Sequence, residues 1–349
     1  MQERVLRQLG FQGCRIEAMQ DAFERACAGG HELLLLAGPA GIGKSALVRE
    51  IQRPMVRHRG YFIAGKFDQF SRDTPYSALA QALRELVLRI LGESEGRLVA
   101  WRHALRAALG PNARLVLDVV PDLERLIGPQ PPVPAVQPTE SANRFHTTLR
   151  ALIRAFADER HPVAIFLDDL QWSDLATLKL IEDLVGDPEL PHLLWIGAYR
   201  ESEVPPEHPL ERTRGALLAA GAAVTSVSLP PLSADQVAHM IADTLRCDRE
   251  SAALLAGVVH RRSEGNPFFV RTYLQSLHEQ GVFHFDRARG NFTWELARVE
   301  QAALPDDVVD LVARRIAGLP PATQTALHAA ACIGARFELD LLARISGQG

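Results

Sequence analysis

Apolar residues along the chain fall into two alternating patterns. Short runs at Leu33–Ala37, Tyr61–Ala64, Ala164–Leu167, Leu193–Tyr199 and Val224–Leu229 read as strands, most of them covered on both faces. Between them apolar positions recur every three or four residues, the spacing of a helix with one buried stripe. Ile16, Met19, Phe23 and Cys27 mark a helix over 16–28 that Gly29-Gly30 ends. Ala46, Leu47, Val48 and Ile51 mark another, closed by Pro54. The pattern is helical from Tyr76 to about Ile127, with Leu79, Leu83, Leu86, Val87, Ile90 and Leu91 on one face. The stretch 128–138, GPQPPVPAVQP, carries too many prolines for a helix or central strand and reads as a stiff loop inside the domain. Helices over about 141–158, 174–185 and 210–220 supply the remaining crossovers, so five strands with intervening helices make an α/β domain.

After Pro230-Pro231 the strand runs stop. Residues 232–246 and 249–260 are helical, and a third helix opens at Pro267, a good first-turn proline. VFHFD and NFTWEL flank the turn 287–290 as a hairpin, and the chain from Pro305 is helical again, divided by Pro320-Pro321. The expected domains are 1–230, 231–303 and 304–349. Thr323 to Ile345 hold more apolar positions than a helix pair can bury, so this face is expected to meet a partner or another copy, or to be loosely ordered.

Composition narrows the class. Hydrophobic residues are 47% and charged residues 23% of 349, ordinary for a globular chain, and the formal charge of −4 gives no chain-wide basic field for nucleic acid. The cysteines, Cys14, Cys27, Cys247 and Cys332, form no C-x-x-C pair, which suits burial in a reducing compartment. The histidines form no H-E-x-x-H, so no zinc site is expected. No run approaches the ~18 apolar residues of a membrane span and the N-terminus lacks a signal-peptide core, so the expected location is cytoplasmic.

The candidate chemistry lies at two strand ends. Gly38, Pro39, Ala40, Gly41, Ile42, Gly43, Lys44 and Ser45 fit G-x-x-x-x-G-K-S between a strand pattern and a helical one that continues through Ala46. Glycines there let backbone N–H groups turn inward around phosphate, Lys44 reaches the β- and γ-phosphates, and Ser45 helps hold Mg²⁺. Asp168 and Asp169 stand at the carboxyl end of the 164–167 run, where ligands bind in open parallel sheets. Arg200 ends the fourth strand, and its guanidinium suits phosphate oxygens. Trp172 and Trp195 read as packing residues, and Gln171 and Asp174 as caps of the next helix.

GPAGIGKSALVRE, GKFDQFSRDTPYSAL, AIFLDDLQWSD, LLWIGAYR and GNPFFV, in this order, resemble the signal-transduction ATPases with numerous domains, a group related to AAA+ proteins. The likeness extends to the ATPase module of large bacterial serine/threonine kinase–sensor histidine kinases and to maltose-regulator-like activators. It implies a P-loop fold with strand order 5-1-4-3-2, then a helical lid and a winged helix begun but not completed. It implies purine nucleotide, ATP or ADP, with Mg²⁺ at Ser45 and Asp168. Asp169 would polarise the attacking water, Arg200 would sense the γ-phosphate, and Pro267, in the Gly265-Asn266-Pro267 element, would pack near the adenine. Partners would be signalling proteins or further domains. An ATP-driven switch, an AAA+ machine or P-loop phosphotransferase, and a scaffold with negligible hydrolysis all remain open.

Overall fold

The computed structural model describes residues 13–49, 55, 58–69, 74–134, 137–187, 189–288, 290–302, 313, 316–333 and 338–346, the side chains of 13–16, 138 and 139 apart. The chain divides into two compact units, Met1–Pro230 and Pro231–Gly349.

The first unit begins with α1 (Gly13–Cys27), β1 (His31–Ala37), α2 (Lys44–Arg49) and β2 (Tyr61–Lys66). The long helical stretch that follows is divided. It gives α3 (Ser77–Leu91), α4 (Glu95–Leu109), the short α5 (Ala113–Leu117) and α6 (Glu124–Ile127). The breaks fall at Gly92, at Gly110-Pro111 and at Pro121, where the chain lacks either a side chain or a backbone donor. Residues 128–134 carry neither helix nor strand. Then come α7 (Pro138–Phe156), β3 (Val163–Asp168), α8 (Leu175–Val185), β4 (Leu193–Tyr199), α9 (Pro209–Ala219) and β5 (Val224–Ser228). α7 starts three residues before the expected Ser141 because Pro138 occupies its first turn.

The five strands form one parallel sheet in the order β2-β3-β4-β1-β5, the order 5-1-4-3-2 read from the opposite edge. Its α/β, doubly covered architecture follows from strand alternation. Leu33, Leu35, Ile63, Ile165, Leu167 and Trp195 face one core with α3 and α7, and Leu34, Leu36, Ala164, Phe166, Leu194 and Ile196 face a second with Met19, Phe23, Leu47 and Val48. Each fully buried large side chain contributes about 1.5–3 kcal/mol. Parallel register ends the central strands together, with Lys66 opposite Asp168 and Ala37 opposite Tyr199. The polar residues at those ends therefore share one edge.

β2 lies at the rim of the sheet, and α3 guards it. The Ala64 N–H donates to Glu85 Oε2 and the Lys66 N–H to Gln81 Oε1, both at 3.2 Å, which satisfies donors that an edge strand otherwise exposes. The approach is close enough that a Cβ on Gly65 would lie 1.8 Å from the Ala78 carbonyl oxygen. Gly65→Ala must push β2 from α3, and we expect it to lower the stability of the first unit by about 1–3 kcal/mol. A urea unfolding midpoint equal to that of the parent would refute this packing argument.

In the second unit α10 (Ala234–Leu245) starts with a reciprocal cap between Ser233 and Gln236. α11 (Arg249–Ser263) and α12 (Pro267–Glu279) follow, and the Asn266 side chain accepts the Phe268 N–H at 3.0 Å. β6 (His284–Asp286) and β7 (Asn291–Thr293) form the antiparallel hairpin, followed by α13 (Leu296–Gln301), α14 (Pro321–Ile333) and α15 (Leu339–Ser346). Leu327, Leu339, Leu341 and Ile345 are exposed, and so is Cys332. The expectation of a buried thiol fails at Cys332. Cys27 and Cys247 are half-buried, and the side chain of Cys14 lies outside the described residues. The expected helix from Pro305 to Pro320 falls largely outside them as well. Among the described residues no helix is long and apolar enough to cross a membrane.

Candidate functional site

The segment from Gly38 to Ser45 joins β1 to α2 at the carboxyl edge of the sheet. Gly41 and Gly43 take φ of 76° and 103°, values that side chains rarely adopt, so the loop needs glycine at both places. A Cβ on Gly43 would meet nothing within 4 Å, so the backbone there is open rather than packed. Lys44 is 8% exposed, and its ammonium donates to the carbonyl oxygens of Gly38 at 2.8 Å and Pro39 at 3.0 Å. Burial pushes its pKa down, and the nearby Asp168 and Asp169 oppose the shift.

The Ser45 hydroxyl donates to Asp168 Oδ2 at 2.9 Å across 123 residues of chain. The hydroxyl that opens α2 and the carboxylate that ends β3 thus lie side by side. Asp168 Oδ1 accepts the Asp169 N–H at 3.0 Å. A hydroxyl and a carboxylate beside a phosphate-type loop form a hard oxygen set, and these residues fit a Mg²⁺–nucleotide pair.

Asp169 is organised differently. It is 6% exposed and takes a left-handed conformation, φ 57° and ψ 45°, a local cost that aspartate bears better than most residues. Lys66 Nζ lies 2.9 Å from Oδ2, while Oδ1 accepts from Gln171 Nε2 at 3.0 Å and stands 3.8 Å from Arg200 Nε. Burial pushes this carboxyl up, but the hydrogen bonds from Lys66 and Gln171 and the charges of Lys66 and Arg200 outweigh it and hold the pKa below the usual carboxylate range. The same hydrogen bond raises the pKa of Lys66. Asp169 is therefore ionised at neutral pH.

The structure brings Lys44, Ser45, Asp168, Asp169 and Arg200 to one edge of the first unit. Pro267 stands in the first turn of α12 in the second unit. Lys66 and Glu203 carry no sequence signal of a role here, and Gln171 and Trp172 have roles other than the expected ones. Lys66 ends β2 and pairs with Asp169. Gln171 is no helix cap: it is 3% exposed, donates to Asp169, and accepts the Arg200 N–H at 3.1 Å through Oε1. Asp174 does cap α8, accepting the Thr177 N–H at 2.8 Å. Trp172 is more than packing, since Arg200 lies over its ring at 5.0 Å and its Nε1 donates to Glu203 Oε2 at 3.0 Å. Glu203 also accepts from Arg200 Nη1 at 2.6 Å. Trp195 is buried as expected, at 1% exposure.

A parallel sheet of this order, with a phosphate-type loop after β1 and paired acids after β3, defines a P-loop nucleotide-binding module. The AAA ATPase domain family matches residues 13–196, and the chain belongs to it. Two curated relatives are similar over most of the chain. They are hybrid signal transduction histidine kinase G of Dictyostelium discoideum, 26% identical over 95% of this chain and 11% of its own length, and the peroxide stress-activated histidine kinase mak3 of Schizosaccharomyces pombe, 24% identical over 90% and 15%. The chain thus spans a small part of either relative. Among solved structures, it is similar to Cdc6p from Pyrobaculum aerophilum, with a TM-score of 0.46 and 12% identity over 98% of this chain and 80% of that one. It is also similar to a Signal Transduction ATPase with Numerous Domains from Pyrococcus horikoshii, with a TM-score of 0.42 and 11% identity over 93% and 36%.

Proposed function

We propose that this chain is a Mg²⁺-dependent ATP-binding module that hydrolyses ATP slowly and acts as a signalling switch. The observation that carries the reading is the division of labour between adjacent acids. Asp168 shares a hydrogen bond with the Ser45 hydroxyl beside the phosphate-type loop, while Asp169 is ionised and held by Lys66, Gln171 and Arg200. Bound Mg²⁺ would neutralise charge on the β- and γ-phosphate oxygens. The loop N–H groups and Lys44 would bind the phosphates, Ser45 and Asp168 would hold the metal, Asp169 would orient and deprotonate water, and Arg200 would serve the γ-phosphate. A carboxylate base beside the metal acid suits water as the nucleophile. Its ion pair with Lys66 supports slow turnover, because a base engaged by a cation is a weaker base.

The relatives are histidine kinases by name, which supports a signalling role within a longer assembly. On this reading nucleotide state biases the helical and C-terminal parts of the chain. Pro267 keeps the adenine-side role that the family resemblance gives it, and the exposed apolar face of α14 and α15 serves as a contact for a further domain, a partner or another copy. Multiple-turnover phosphate release from Mg·ATP tests the hydrolytic part. Transfer of the γ-phosphoryl to a small molecule without release to water would point instead to a phosphotransferase.

The acid limb of the rate gives a second test. A carboxylate whose folded pKa is depressed keeps its ionised form, and the stability it contributes, above its unfolded pKa of ~3.9, and loses both as pH falls through the lower folded value. Lys66→Met removes the main favourable hydrogen bond while burial remains, so the pKa of Asp169 rises. The acid limb of kcat should move to higher pH in the variant. An unmoved limb would show that Asp169 ionisation does not govern the rate.

A further inference from the structure

Arg200 has a long, four-torsion side chain 31% exposed at the rim of the site, yet it is held from three directions. Its backbone N–H donates to Gln171 Oε1 at 3.1 Å, its Nη1 donates to Glu203 Oε1 at 2.6 Å, and its guanidinium carbon lies 5.0 Å from the centre of the Trp172 ring. The indole closes the figure by donating Nε1–H to the other oxygen of the same carboxylate, at 3.0 Å. Stacking on an aromatic face combined with a charge-assisted hydrogen bond uses the planarity of guanidinium in a way that lysine cannot imitate.

The loops carrying these residues are tied together independently. The α9 cap residue His208 accepts the Leu210 N–H at Nδ1, so in the neutral ring Nε2 carries the proton and donates to the Gln171 carbonyl oxygen at 3.2 Å. The turn after β3 and the turn after β4 therefore form one braced piece. Asp169 and Arg200 stand on its two halves, joined through Gln171, which bonds the carboxylate of one and the backbone of the other.

We infer that Trp172 and Glu203 are positioning residues for Arg200: together they form a cradle that holds its guanidinium over the indole and fixes where the cation stands relative to Asp169. The kinetic part of this inference rests on the ATPase reading above, in which Arg200 serves the γ-phosphate. The cradle itself is a matter of geometry and does not. An arginine free among its rotamers presents its charge in the productive place for a fraction of the time. A held one presents it throughout, and the gain appears in kcat rather than in ground-state binding.

The test combines kinetics with a spectroscopic signature, using the full chain. The Trp172 indole N–H resonance, identified by its loss in Trp172→Phe, should shift in Glu203→Gln, which replaces its charged acceptor, and in Arg200→Ala, which removes the cation from the ring. Trp172→Leu and Glu203→Gln should each lower kcat for ATP about tenfold with KM within twofold. Trp172→Phe, which keeps a stacking face, should fall between Leu and parent. In an Arg200→Ala background the same substitutions should lower kcat no further. An indole resonance unmoved by both neighbouring substitutions overturns the cradle, whatever the rates. Equal losses with and without Arg200 overturn the positioning role and leave a structural one. Parent turnover in Arg200→Ala, with a shifted indole signal, overturns the kinetic role and also the part given to Arg200 in the proposed function, while the cradle stands.

Discussion

Replacing Lys44 with alanine is expected to abolish the thermal stabilisation that ATP or ADP confers on this chain. A ligand present at a thousand times its dissociation constant stabilises the folded state by ~4 kcal/mol. For a unit of this size that corresponds to a rise in melting temperature of about 10 °C. Lys44 is buried beside the loop, and its ammonium donates to the carbonyl oxygens of Gly38 and Pro39. Phosphate oxygens offer that cation stronger partners than two carbonyls do, since they add the attraction of a full opposite charge to the hydrogen bond. The fold has less need of it, because the core that seats α2 is built by Leu47 and Val48. Differential scanning fluorimetry with and without Mg·ATP checks this directly. A variant that keeps the parental shift would show that the loop is not where nucleotide binds.

Asp169→Asn is expected to retain nucleotide binding and lose hydrolysis by about 10²- to 10⁴-fold, the usual contribution of a positioned base. Asparagine has nearly the same volume and can still accept from Gln171, so the turn after β3 should keep its shape. What it loses is the ionised oxygen facing Lys66 and the capacity to take a proton. Asp168→Ala should behave otherwise, weakening the Mg²⁺ dependence of binding, because its carboxylate lies with the Ser45 hydroxyl. Equilibrium binding of a fluorescent ATP analogue together with phosphate release separates the two. Parental turnover in Asp169→Asn would remove this residue from the chemistry.

The parts of this site legible in the sequence are those whose signal is local. The phosphate-type loop declares itself through glycine spacing and a following helix, and Asp168 and Asp169 through a continuous apolar run that must end at the sheet edge. Even the strand order was available, but only through resemblance, since parallel pairing leaves no sequence mark of which strand lies beside which. Gln171, Trp172, Glu203 and Lys66 were not legible for the same reason. Each acquires its role from a partner on another loop: Lys66 meets Asp169 because β2 pairs with β3, and Trp172 meets Arg200 and Glu203 because β3 pairs with β4. Seen locally, Gln171 looks like a helix cap and Trp172 like core. The divided helical stretch after Tyr76 is a milder case, since Gly92, Gly110-Pro111 and Pro121 are visible breakers that the long apolar periodicity overshadowed.

If water is the acceptor of the phosphoryl group, Asp169 beside Lys66 is its base and the Ser45–Asp168 pair holds the metal for that transfer. Multiple-turnover phosphate release from Mg·ATP by the purified chain, measured beside Lys44→Ala and Asp169→Asn, tests this most directly. Slow, continuous release that exceeds one phosphate per chain and is abolished in both variants is expected, with binding lost only in the first. Firm nucleotide binding by the parent with no release beyond the Asp169→Asn background would contradict this expectation.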